Sequence, residues 1–203
     1  MERYYLPGED PSILHTFHTL FKSMDERRIL KEVADFFDRT QAPIDLQDEQ
    51  TSTMLHWACS RGHEEVVPLL LVRGANPNMT AWEDKTPLHS AMGHDGSTRI
   101  LDLLVQYGAD IEARDAYGRT PLHRAVEQAA VLASRSLPQV SHMINLGADL
   151  LAQDIRGNRP ADMLVNYSFL GDDLAGIARC AIEAVQLQAR TEDAPNKLPR
   201  SRL

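Results

Sequence analysis

The stretch DKTPLHSAMGHDGS, residues 84–97, admits two readings. His89 and His94 lie close to Asp95, as a metal or acid–base site would have them. Alternatively, Thr86-Pro-Leu-His-Ser-Ala91 is one copy of a recurring structural phrase. The rest of the chain favours the second reading. Thr53-Met-Leu-His-Trp-Ala58 precedes the phrase by 33 residues, and Thr120-Pro-Leu-His-Arg-Ala125 follows it by 34. A second marker keeps the same phase: Gly74-Ala-Asn76, Gly108-Ala-Asp110 and Gly147-Ala-Asp149. Self-similarity at this period is the mark of a repeat architecture.

Each phrase opens a helix for a physical reason. Thr suits the N-cap, and Pro fits the first turn, where its missing N–H costs nothing. The segments 66–73, 100–107 and 140–146 read as further helices, amphipathic in the first two and weaker in the third. Each ends at a Gly, the residue that most easily takes a left-handed cap.

On these motifs the sequence resembles the ankyrin repeat family, strongly over residues 53–158 and weakly in the flanks. The resemblance implies an all-α solenoid of about four helix–turn–helix repeats with hairpin-like loops. Stacked units bury the apolar stripe that a single unit leaves exposed. The expected division is a helical cap and degenerate repeat over 1–52, repeats over 53–85, 86–119 and 120–158, a capping repeat over 159–190, and a disordered tail over 191–203. Gln41-Ala-Pro-Ile-Asp45 reads as a degraded cap, with Asp25 capping the helix before it and a partner helix over 12–22. Arg159 and Asp162 stand where Thr and His stand in the other units. A long helix follows, with Leu174, Ile177, Ala178, Ala181, Ile182 and Val185 on one stripe. The unit from Thr120 to Arg159 spans 39 residues. The surplus near 128–139 reads either as a lengthened first helix or as a projecting loop.

The resemblance assigns His56, His89 and His123 structural work beside Thr86 and Thr120, with each imidazole bonded to the backbone of a neighbouring loop. Copies about 10 Å apart are too distant to share a metal ion. His94 falls near the end of a first helix and faces the concave surface. The family geometry directs partner contacts to the loop tips and groove-facing helix ends: Trp82, Glu83, Lys85, Tyr117, Arg119 and Arg156, with Arg61, His94 and Glu127 on the helix side. Glu49, Gln50, Ser52, Ala116, Ile155, Asn158 and Ser60 lie along the same face, while Trp57 reads first as packing within its repeat and second as reaching the groove. Trp82 stands out, because a Trp at a loop tip exposes a large apolar surface of the kind that dominates interface energies. The other reading folds it back over the neighbouring unit.

Composition narrows the function further. A net charge of −8 argues against a general nucleic-acid binder. No apolar run reaches bilayer length, and the N-terminus lacks the layout of a secretory signal. Two cysteines far apart argue against a disulfide framework. The expectation is a non-enzymatic protein-binding module, an adaptor, inhibitor or assembly factor, without cofactor, metal or catalytic residues, in the cytoplasm. The alternative is a small-molecule enzyme with a groove site around His94, Asp95 and Glu127. The terminal Ser201-Arg202-Leu203 resembles a peroxisomal address, which would make an import receptor a second partner and the peroxisome an alternative location; a nuclear location is also compatible.

Overall fold

The computed structural model describes residues 26–92, 97–132 and 137–166, together with Gly176, Arg179 and Glu183. In chain order these residues form α1 (Glu26–Thr40), α2 (Met54–Arg61), α3 (Val66–Val72), a 3-10 turn (Trp82–Asp84), α4 (Pro87–Ala91), α5 (Thr98–Gln106), α6 (Pro121–Leu132), α7 (Leu137–Asn145) and α8 (Pro160–Asn166). Extended pairing among the described residues is limited to one antiparallel bridge between Gln47 and Thr53. The helix expected over 12–22, the Asp25 cap, the stripe from Leu174 to Val185 and the tail lie outside the described residues.

The helix starts follow from the recurring phrase. Thr53 and Thr86 hold extended backbone, and each hydroxyl oxygen accepts the N–H three residues on, at 3.4 Å in both cases. This satisfies one of the first-turn donors that a helix leaves free. The helix stops follow from the glycines. Gly74, Gly108 and Gly147 have φ of 91°, 88° and 92°, a region that costs a side chain about 1–2 kcal/mol. The degraded cap at Gln41 takes the same left-handed region, φ 54°, without a glycine.

The units stack through their leucines. Leu55, Leu88 and Leu122 from the first helices and Leu70, Leu104 and Met143 from the second are all buried. First helices pack in the series α2, α4, α6, α8, and second helices in the series α1, α3, α5, α7. Each fully buried leucine contributes about 1.5–3 kcal/mol relative to exposure, so most of the stability resides at the joints between units.

Side chains stitch the loop bases across each joint. Asp45 accepts the Asn76 N–H at 3.0 Å, Asn78 the Asp110 N–H at 2.8 Å, and Glu112 the Asp149 N–H at 2.8 Å. In the unit that begins at Thr120, helix α6 has 12 residues, against 8 in α2 and 5 in α4, so the surplus lengthens the first helix as far as Leu132. Gln139 then occupies the slot filled by Val66 and Ile100 in the other units. It is buried and donates its amide to the Ala91 carbonyl at 3.1 Å. Arg159 and Asp162, in place of Thr and His, form a bidentate pair at 2.7 and 3.1 Å.

Candidate functional site

The three repeated histidines make one contact three times. His56, His89 and His123 point Nδ1 at the main-chain N–H of Thr53, Thr86 and Thr120, at 3.2, 3.3 and 3.1 Å. Because that nitrogen accepts, the proton sits on Nε2. From there it is donated to the carbonyls of Lys85, Arg119 and Asn158, each at 3.0 Å. Each acceptor is the last residue of the next hairpin. Burial pushes all three imidazoles down, His56 to about 4. They are neutral joints that hold each hairpin against the unit before it.

The hairpins form a connected row. Trp82 N–H donates to the Gln50 carbonyl at 3.2 Å, Ala116 N–H to Glu83 at 2.8 Å, and Ile155 N–H to Tyr117 at 3.1 Å. Three of the four turns are braced by their own aspartate. Asp48 accepts the N–H groups of Gln50 and Ser52, Asp115 those of Tyr117 and Arg119, and Asp154 those of Arg156 and Asn158. This bracing role was missed from sequence, although the recurrence of Asp48, Asp115 and Asp154 at the repeat period carries the signal.

On this frame the nominated residues divide into two groups. Trp82 is 69% exposed at its tip and is not folded over a neighbour. Tyr117 is 40% and Ile155 70% exposed, and Arg156 is exposed beside Ile155. Arg119, by contrast, turns inward. It reaches Asp115 at 2.8 Å and Glu127 at 3.1 Å, and its guanidinium lies over the Tyr117 ring at 4.6 Å. Burial raises the Asp115 carboxyl, but Arg119 and the turn N–H groups outweigh that and hold it below the usual carboxylate range. Glu127 also approaches Arg124 at 3.5 Å. Arg119 and Glu127 are thus bound to each other.

Glu83 and Lys85 pair at 2.6 Å, and the Tyr117 hydroxyl donates to Glu83 at 2.8 Å. These two contacts hold the Glu83 carboxyl down, and the same bond raises the Tyr117 phenol. Trp57 donates to Asp48 of the preceding hairpin at 2.7 Å, with Arg61 over its ring at 5.7 Å. His94, Asp95 and the terminal Ser201-Arg202-Leu203 lie outside the described residues.

Stacked helical pairs with a row of coupled hairpins define a helical-repeat protein that presents a surface. A family model for Ankyrin repeats (3 copies) matches residues 27–115 and 83–154, together more than half of the chain. The chain belongs to the ankyrin-repeat family, whose repeats are in general protein-interaction domains without enzymatic activity.

Similar proteins span animals and bacteria. Mouse Protein fem-1 homolog A-like is 29% identical over 160 residues, 74% of this chain and 23% of the relative. Mouse NF-kappa-B inhibitor delta is 30% identical over 132 residues, 57% of this chain and 40% of the relative. A putative ankyrin repeat protein of Rickettsia bellii is 31% identical over 111 residues, 53% of this chain and 44% of the relative. The chain spans less than half the length of each.

Proposed function

We propose that this chain acts as a non-enzymatic adaptor, inhibitor or assembly factor, binding another protein through its hairpin tips and the groove-facing ends of its first helices. The observation that carries the reading is the row of tips bonded backbone to backbone, from which Trp82, Tyr117 and Ile155 project. Large side chains on a braced frame lose little further freedom on binding, which favours affinity. Such a surface captures a partner with little change of shape. The name of one relative, NF-kappa-B inhibitor delta, is consistent with this role.

The test is capture of partners from native cells with the intact chain and with Trp82→Ala/Ile155→Ala. Partners retained by the intact chain and lost by the double variant, at unchanged thermal midpoint, support the reading. Equal capture by both removes the tips from it.

A further inference from the structure

The turn that carries Trp82 departs from the other three. Its first residue is Ala81, where the others have Asp48, Asp115 and Asp154, so it has no carboxylate to brace it. It also places two successive non-glycine residues in the left-handed region, Glu83 at φ 61° and Asp84 at φ 55°. Strained backbone of this kind persists only where the surroundings hold it. Here they do: Gln50 takes the Trp82 N–H, Ala116 and Tyr117 grip Glu83 from the following unit, and Lys85 pairs with Glu83. The outcome is a tryptophan standing out from a fixed turn.

The uncompensated charge around it has one sign. Asp84 is exposed two residues further along the same turn. Glu49 is exposed beside Gln50, the residue whose carbonyl holds the Trp82 N–H. Among the described residues neither carboxylate has an ion-pair partner, whereas Lys85, the cation of this turn, is taken by Glu83. Arg119, on the next hairpin, is neutralised by Asp115 and Glu127. An exposed indole therefore shares its own turn and the turn that holds it with two exposed, uncompensated carboxylates.

We propose that Trp82, Glu49 and Asp84 form a docking site for a basic segment of a partner protein, with an Arg or Lys side chain lying over the indole and its charge shared between the two carboxylates. The proposal rests on the reading that this face binds a protein, and names the chemistry of what it binds. A cation over an indole face gains from the ring quadrupole, and flanking acids add attraction and orientation. The chain already uses this contact internally, with Arg61 over Trp57 and Arg119 over Tyr117.

The test is selection of displayed random peptides on the full chain, with counter-selection on Trp82→Ala. Recovered peptides should be enriched in Arg and Lys beside an apolar residue. A synthetic representative should bind Trp82→Ala about thirtyfold more weakly. It should bind Glu49→Gln/Asp84→Asn about fivefold more weakly, a difference that shrinks as salt rises. Asn tolerates the left-handed region, so that variant removes charge without disturbing the turn. Peptides that depend on Trp82 but show no excess of Arg or Lys, or no loss in the charge variant, would overturn the basic-segment assignment while leaving protein binding intact. Recovery of no Trp82-dependent peptide would also overturn it, and partner capture would then judge the broader reading separately.

Discussion

His89 joins two units through one ring: its Nδ1 accepts the Thr86 N–H at 3.3 Å, and its Nε2 donates to the Arg119 carbonyl at 3.0 Å. His89→Leu keeps the site apolar but leaves a buried donor and a buried acceptor without partners. Each such loss costs about 1–3 kcal/mol. Urea unfolding of His89→Leu should show stability lower by about 3 kcal/mol; a change within 0.5 kcal/mol, the range of ordinary surface substitutions, would show the joint to be energetically idle.

Acid should weaken the stack before Asp115 and Asp154 titrate. Burial lowers the imidazoles of His56, His89 and His123, with His56 reaching about 4. An unfolded chain binds these protons from pH 6.5 downward, whereas the folded chain resists them. Their stabilisation is therefore complete above 6.5 and falls away below it, for His56 as far as about pH 4. His56 alone accounts for about 3 kcal/mol over that window. Asp115 and Asp154, held below the usual range, lose their contribution only below pH 3.8. Asp45 and Glu112, raised by burial, act in the opposite sense. Thermal midpoints measured from pH 7.5 to 4.5 should decline throughout the acidic half, and less steeply in His56→Gln.

Two positions should gain from glycine and one should lose by losing it. Gln41 and Asp84 hold left-handed backbone with side chains attached. Gln41→Gly and Asp84→Gly should each stabilise the fold by about 0.5–1 kcal/mol, after allowing for glycine's extra freedom in the unfolded chain. Gly118→Ala should do the reverse. At φ 71° its new Cβ would meet the Ile155 main-chain nitrogen and Cγ2 at 3.1 Å. Matched denaturation curves would show the signs directly.

Arg119 and Trp82 should separate stability from recognition. Arg119→Ala strands the buried carboxylate of Asp115 and should lower stability by about 2 kcal/mol or more. Trp82→Ala removes an exposed ring and should leave the thermal midpoint nearly unchanged while weakening partner capture. A large fall in midpoint for Trp82→Ala would make the ring part of the fold.

Much of this architecture was legible because a repeat states its rule several times. The Thr–His phrase and the Gly caps each mark a backbone requirement, and even the degraded Gln41 cap was readable from its phase. The site was less legible. Nothing local in the sequence distinguishes Arg119, clamped by Asp115 and Glu127, from Arg156, which is exposed; the partners of Arg119 lie four and eight residues away on different elements. The surplus residues of the Thr120 unit could not be assigned to helix or loop from periodicity, because alanine-rich sequence suits an extension that burial alone decides. Gln139 was equally silent, since a polar residue in an apolar slot reads as a break in the pattern until its acceptor on Ala91 is seen.

The turn around Trp82 lacks the aspartate that braces its counterparts from within, and its shape is lent by the units on either side. What it displays therefore belongs to three consecutive modules jointly. Moving that one module into another array would carry over the tryptophan but not its aim, and any redesign of the specificity of this chain must treat the trio as the smallest transferable part.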